Sequence, residues 1–191
     1  MRAANHSRKT KETDVSIWVD LDGSGKADVN TGIGFLNHLL ACLSFHSLID
    51  IKVEAKGDLD HHISEDVSIV LGKVLAKALE KDHSITRFAD ATVPMDDSLV
   101  SCCVDLGGRP YSEISLGLMN PMTEGMANED IVHFLRTLAV NLDANIHIKT
   151  LYGENDHHKA EAVFKALARC LRTAVSIDQR RVDVSSSKGV L

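Results

Sequence analysis

Gly57-Asp58-Leu59-Asp60-His61-His62-Ile63-Ser64-Glu65 returns further along the chain as Gly153-Glu154-Asn155-Asp156-His157-His158-Lys159-Ala160-Glu161. Both stretches read G-x-x-D-H-H-x-x-E, about 96 residues apart, and self-similarity at a fixed period constrains a whole fold rather than one element. His38 and His133 stand in the same relation, one before each copy. Asp20-Leu21 and Asp105-Leu106 match more loosely. Duplication follows: an α+β fold of two half-units, each a mostly β-sheet layer backed by two helices. Residues 1–93 form the first half. Residues 94–191 form the second half and a C-terminal tail, and together the halves make one domain.

Periodicity fills in the elements. Val15, Ile17, Val19 and Leu21 alternate with polar residues, which is strand spacing, and Asp22-Gly23-Ser24-Gly25 is a turn. Phe35, Leu36, Leu39, Leu40 and Leu43 recur at helical spacing. A strand is expected near 48–56. A helix over 61–80 carries Val67, Val70, Leu71, Val74, Leu75, Ala78 and Leu79 as its apolar stripe. Strands at 85–93, 98–106 and 111–118, a helix at 128–143, a strand at 145–152 and a helix at 157–176 complete the pattern. The Ser185-Ser186-Ser187-Lys188-Gly189 end reads as a polar tail.

Composition narrows the function. Apolar residues make up 44% of the 191 residues and charged residues 25%, which is ordinary for a globular chain. The net charge of −6 argues against a basic nucleic-acid binder. It leaves room for a small anionic substrate held by a few converging cations. No apolar run approaches the roughly 18 residues of a membrane span, and MRAANHSRKTKETD has no signal-peptide core. Cys42, Cys102, Cys103 and Cys170 form no C-x-x-C pair and read as reduced thiols in a cytoplasmic setting.

The excess of histidine, ten residues, carries the chemistry. On a helix residues i and i+4 share a face, so His61 and Glu65 can grip one cation while His62 is rotated away; His157, Glu161 and His158 repeat that geometry. Two related copies suggest an exchange. One metal takes His61, Glu65 and His158, and the other takes His157, Glu161 and His62. His38 and His133 supply one further ligand each, and spacing alone does not assign them. Imidazole plus carboxylate without thiolate argues against a structural zinc. Four protein ligands on an octahedral ion leave two positions open, which suits a catalytic manganese. His6, His83 and His147 are expected in surface or structural roles.

At these residues the chain resembles the imidazoleglycerol-phosphate dehydratase family. The resemblance rests on TGIGFLNHLL (31–40), GDLDHHISEDVSIVLG (57–72), ITRF (85–88), VPMDDSLV (93–100), VDLGGRPY (104–111), GENDHHKAEAVFKALARCLR (153–172) and SSKGVL (186–191). It implies a ribosomal protein S5 domain 2-like fold and two Mn(II) per active site. One ion would be held by His38, His62, His157 and Glu161, the other by His61, Glu65, His133 and His158. It implies Arg87, Arg109, Lys165, Ser186, Ser187 and Lys188 as contacts to the substrate phosphate, Glu12 as the acid/base glutamate, and a substrate contact from His46. Glu12, His62 and His158 would be the catalytic set. The implied reaction turns imidazole glycerol phosphate into imidazole acetol phosphate in histidine biosynthesis. The implied assembly is a 24-subunit shell built from trimers, with ligands shared between subunits. Asn37, Val132 and Gly107 depart from the family pattern, which often has Asp, Glu and Ser there. An orienting contact to His38 from position 37 is the one placed in doubt. Two other readings remain open at this point: a two-metal phosphoester hydrolase, and a non-catalytic metal-held assembly protein.

Overall fold

The computed structural model describes residues 2–79, 84–181 and 184–187. Its elements run β1 (Ala3–Lys9), β2 (Thr13–Asp20), β3 (Ala27–Asn30), α1 (Gly34–Ser47), β4 (Asp50–Gly57), α2 (Asp60–Leu79), β5 (Phe88–Met95), β6 (Ser98–Asp105), β7 (Tyr111–Ser115), β8 (Met122–Thr123), β9 (Met126–Ala127), α3 (Asn128–Asn141), β10 (Asn145–Tyr152) and α4 (Asp156–Ala174).

The duplication shows in the strand order. One sheet is β1-β2-β4-β3 and the other β5-β6-β10-β7. Within each, the first two junctions are antiparallel and the last is parallel. β4 and β10 also share one pattern of buried and exposed positions along their length. Alternation in β2 buries Val15, Ile17 and Val19, and in β6 it buries Val100, Cys102 and Val104. One face of each sheet thus meets helices, as period-two patterning requires.

The helices pair across the halves. α1 packs on α4 and α2 packs on α3, while α2 also covers β1 and β2, and α4 covers β5 and β6. Leu36, Leu39, Leu40 and Leu43 of α1, Val67, Val70, Leu71 and Val74 of α2, and Val163, Phe164 and Leu167 of α4 are buried in one continuous core. Gly72 of α2 makes the close approach to α3 possible, because a Cβ there would lie 2.7 Å from the Asn141 side chain.

Some expectations change. The polar N-terminal stretch, to which periodicity assigns no element, holds an edge strand, Ala3–Lys9, paired with β2 from Ala3↔Asp20 to Lys9↔Asp14. Its polarity is that of an edge with one solvated face. β3 and the short β8–β9 pair carried no usable periodicity. A division at 93/94 falls inside β5, and the sheet changes between α2 and β5. The C-terminal segment is docked in part, because Ser185 is buried and donates its hydroxyl to Ile85 O at 2.5 Å. Among the described residues no helix is long and apolar enough to cross a membrane.

Candidate metal centres

Crosswise helix pairing decides which histidines meet. His38 of α1 faces His157 and Glu161 of α4, and His133 of α3 faces His61 and Glu65 of α2. In each group one ligand atom per residue lies within 4.8 Å of the others. In the α1/α4 group, Glu161 Oε2 is 3.0 Å from His38 Nε2 and 3.2 Å from His157 Nε2. In the α2/α3 group, Glu65 Oε1 is 3.2 Å from His133 Nε2. The question left open by spacing is answered: His38 joins the second-copy pair and His133 the first-copy pair. Each group draws on both halves.

His62 and His158 do not join either group within one chain. Each is rotated off the metal face by its single-residue offset, as helix geometry demands. His62 Nδ1 sits 2.8 Å from Asp58 Oδ1 and 3.9 Å from Glu12 Oε2. His158 Nδ1 sits 2.5 Å from Asp97 Oδ1. The exchange of these two histidines between the groups is therefore not made in a single chain.

A layer of carboxylates behind the histidines was not visible in the motif. His61 Nδ1 is 2.6 Å from the buried Asp130 Oδ1, and His157 Nδ1 is 3.3 Å from Glu124 Oε1. With Asp58 and Asp97, all four histidines of the two repeats have Nδ1 engaged by a carboxylate. At His61, His62 and His157 this favours the tautomer that presents Nε2, whereas His158 Nε2 also lies 3.4 Å from Asp96 Oδ2. Only Asp58 belongs to the quoted repeat; Asp97, Glu124 and Asp130 come from distant segments. Asn37 does not orient His38. Its Oδ1 accepts from Thr31 N at 2.9 Å and Thr31 Oγ1 at 2.7 Å, closing the turn before α1.

Local structure holds these groups still. Asn155 caps α4, its side chain accepting from the His157 and His158 backbone N–H groups. Asp97, in the β5–β6 turn, accepts from Glu154 N at 2.6 Å and Asn155 N at 3.0 Å as well as from His158. The Asn155 N–H, His158 and the Glu154 N–H together hold its carboxyl far below the usual range. Buried Asp156 accepts from Met119 N at 2.9 Å, Asn120 N at 2.8 Å and Lys159 Nζ at 3.0 Å. That network ties the segment bearing Glu124 to the start of α4. Phe35 lies against both His38 and His157, with ring centroids 6.1 and 5.2 Å away, and forms an apolar wall.

The electrostatics suit a cation. Burial alone would raise Glu161, but Lys165, His38 and His157 outweigh it and pull its carboxyl down to about 2. Lys165 Nζ is 2.6 Å from Glu161 Oε1. Half-buried His46 stands two helical turns beyond His38. Burial first, and then the positive charges of Lys165 and Arg169, lower its pKa. Paired imidazole and carboxylate donors without thiolate in the gathered sets fit a borderline divalent ion.

The expected phosphate contacts are placed unevenly. Lys165 borders the α1/α4 group, and Arg109 is exposed in the turn before β7. Ser186 is half-buried and Ser187 exposed, while Lys188 lies outside the described residues. Arg87 is occupied: its Nε meets Asp105 Oδ1 at 2.7 Å and its Nη1 donates to Ser185 O at 2.7 Å. At 8% exposure its guanidinium fastens the C-terminal segment. Gly107 permits this, since a Cβ there would lie 2.5 Å from Arg87 Nη2. Glu12 is exposed in the β1–β2 turn, and Val132 is half-buried on α3. His147 is exposed on β10 against Tyr111, and His6 is half-buried in β1. His83 lies outside the described residues.

The fold and site define a class: a duplicated α+β protein with two His–His–Glu groups of metal-binding geometry, each built across its halves. Residues 31–171 match the family model for imidazoleglycerol-phosphate dehydratase. The imidazoleglycerol-phosphate dehydratase of Dehalococcoides mccartyi (strain CBDB1) is 48% identical over 191 residues, covering 100% of this chain and 97% of its own. That of Methanosarcina barkeri (strain Fusaro) is 46% identical over 194 residues, covering 100% of each. The crystal structure of the Pyrococcus furiosus enzyme in complex with (S)-C348 superposes with a TM-score of 0.85 at 39% identity. It covers 97% of this chain and 100% of that one. The Staphylococcus aureus N315 structure gives 0.85 at 33% identity, covering 92% and 99%. The chain belongs to the imidazoleglycerol-phosphate dehydratase family, and it is a hydro-lyase.

Proposed function

We propose that this chain dehydrates imidazole glycerol phosphate to imidazole acetol phosphate in histidine biosynthesis, in the cytoplasm, with two manganese ions at each active site. The observation that carries this reading is the pair of three-donor groups, with His62 and His158 held away from both within one chain. His38, His157 and Glu161 would hold one ion with His62 of a neighbouring copy. His61, Glu65 and His133 would hold the other with His158 of a neighbouring copy. The assembly that allows this is a 24-mer of trimers. The two half-units, which meet between α2 and β5 rather than at 93/94, are the products of a duplication.

The reaction must remove a proton from a carbon that no carbonyl activates. When bound, the ions supply positive charge that favours the deprotonated form of the substrate's imidazole. The protein supplies the rest. Glu12 lies 3.9 Å from His62 Nδ1, so a site that borrows His62 from another copy receives Glu12 with it. The proton given up by the ring would leave with the hydroxyl of the ring-bearing carbon as water; Glu12 is the base that then takes the C2 proton, the ring regains a proton on release, and the enol left behind becomes the ketone. Arg87, Arg109, Lys165, Ser186, Ser187 and Lys188 hold the phosphate through charge-assisted bonds. Arg87 places the two serines by fastening Ser185. His46 lines the substrate's approach beside Lys165. Phe35 keeps water from one side of the α1/α4 group.

A phosphoester hydrolase with bridged metals is less well supported, because Glu65 and Glu161 each belong to one group and neither is shared. The test is ketone formation by purified protein with manganese, with and without chelator, alongside a measurement of inorganic phosphate. Chelator-sensitive ketone without phosphate release is expected. Phosphate release, or ketone formation indifferent to chelator, overturns the proposal.

A further inference from the structure

The turn that carries Glu12 joins β1 to β2 and is held from beneath. The Glu12 side chain is exposed, but its backbone is tied on both sides. The Glu12 N–H donates to Thr10 Oγ1 at 3.1 Å, and the Glu12 carbonyl accepts from Asp58 N at 3.1 Å. Thr10 Oγ1 also accepts from Thr13 N at 3.0 Å and lies 3.1 Å from Thr13 Oγ1. Thr13 donates its hydroxyl to Asp66 Oδ2, and Arg8 Nε donates to Asp66 Oδ1 at 2.7 Å. Asp66 and Thr13 are both buried.

A carboxylate only accepts, and this gives the chain of hydroxyls a direction. The one proton of Thr13 goes to Asp66, so Thr13 Oγ1 accepts from Thr10. With its own proton directed there, Thr10 Oγ1 keeps both lone pairs for the Glu12 and Thr13 N–H groups. Asp66 also lies four residues after His62 on α2, and residues i and i+4 share a face. That face meets the turn twice: Asp66 holds its base, and His62 stands beside the Glu12 carboxylate.

The other half is built differently. Thr13–Asp20 of β2 corresponds to Ser98–Asp105 of β6, which places Asp97 opposite Glu12. Ala162 stands where Asp66 does, directly after the repeated motif. Asp97 itself holds the start of α4, accepting from Glu154 N, Asn155 N and His158 Nδ1. There the turn's own carboxylate does the holding. In the first half Asp66 does it, and the side chain at position 12 stays available.

We infer that Asp66 is a positioning residue for the dehydration: by way of Thr13 and Thr10 it fixes the turn that presents Glu12 beside His62. The inference deepens the proposed function and rests on the reading of Glu12 as the base. An amide at position 66 must aim its NH2 group at either Thr13 or Arg8. In the first case the hydroxyl chain reverses and Thr10 loses an N–H partner; in the second, a donor faces the guanidinium.

The test compares kcat and KM of the full chain with manganese in excess. Asp66→Asn and Thr13→Val are expected to lower kcat about 10²-fold, with KM, manganese content and assembled mass at wild-type values. Thr13→Ser, which keeps the hydroxyl, is expected to retain the wild-type kcat. Glu12→Gln lowers kcat by itself, and adding Asp66→Asn to it is expected to cost nothing further, because Asp66 acts through Glu12. A wild-type kcat in Asp66→Asn and Thr13→Val, a Thr13→Ser as slow as Thr13→Val, or a further loss in the double variant overturns the inference and leaves Glu12 as the base. Slow turnover matched by loss of metal or of assembled mass in both Asp66→Asn and Thr13→Val assigns these residues to stability alone and overturns it too. A wild-type kcat in Glu12→Gln overturns the reading of Glu12 and the inference with it.

Discussion

Asp156→Asn tests whether the buried charges beneath the α1/α4 centre organise it. Asp156 is 5% exposed and its partner Lys159 is 2% exposed. The carboxylate is held at about 2: burial raises it, and the Asn120 and Met119 N–H groups with Lys159 more than reverse this. From an ordinary 3.8, that displacement is worth about 2.5 kcal/mol, at roughly 1.4 kcal/mol per tenfold. Neutralising Asp156 also strands the Lys159 ammonium, and breaking a buried pair costs about 3–5 kcal/mol. The variant should therefore lose about 2.5–4 kcal/mol. The first half has Ile63 where the second has Lys159, so Asp156→Asn with Lys159→Met should recover much of the loss. Urea unfolding of metal-free protein at one fixed chain concentration is the appropriate assay, because metal and assembly both add to apparent stability. The sign with pH is fixed: a depressed carboxyl contributes fully above 3.8 and is lost as pH falls towards about 2. The gap between wild type and variant should close over that window. A cost under about 1 kcal/mol, or a double variant no better than the single one, would refute the reasoning.

Glu161→Gln should remove one bound manganese per chain and leave the α2/α3 centre filled, read by elemental analysis after dialysis. Asp97→Asn, which frees His158 Nδ1, should weaken manganese binding about 10–100-fold with an unchanged circular dichroism spectrum. Glu12→Gln should cut kcat by about 10²–10⁴-fold while metal content and the assembled mass stay at wild-type values. Gly153→Ala should cost about 1–3 kcal/mol, seen as a lowered Tm, because φ is +151° and a Cβ there would press on Ser98, whose Cα is 3.0 Å away.

The long helices and the central strands were legible because burial imposes period 3.6 on α2 and α4 and period 2 on β2 and β6. β1 was not, because an edge strand with the sequence AANHSRK buries little and shows no alternation. The metal donors were legible as a repeated motif, and helix geometry alone separated His61 from His62. Their carboxylate supports were not: Asp97 and Asp130 meet His158 and His61 only through the fold, across separations that leave no local pattern. Arg87 shows the same limit. Its place in the ITRF segment gives no sign that Asp105 and the Ser185 carbonyl take three of its five N–H groups.

Because α1 lies on α4 and α2 on α3, cutting the chain between α2 and β5 would leave neither fragment with a whole donor set. His38 would be parted from His157 and Glu161, and His133 from His61 and Glu65. Two identical ancestral fragments, paired face to face, would have had two interchangeable centres. Joined in one polypeptide, the centres can drift apart one substitution at a time.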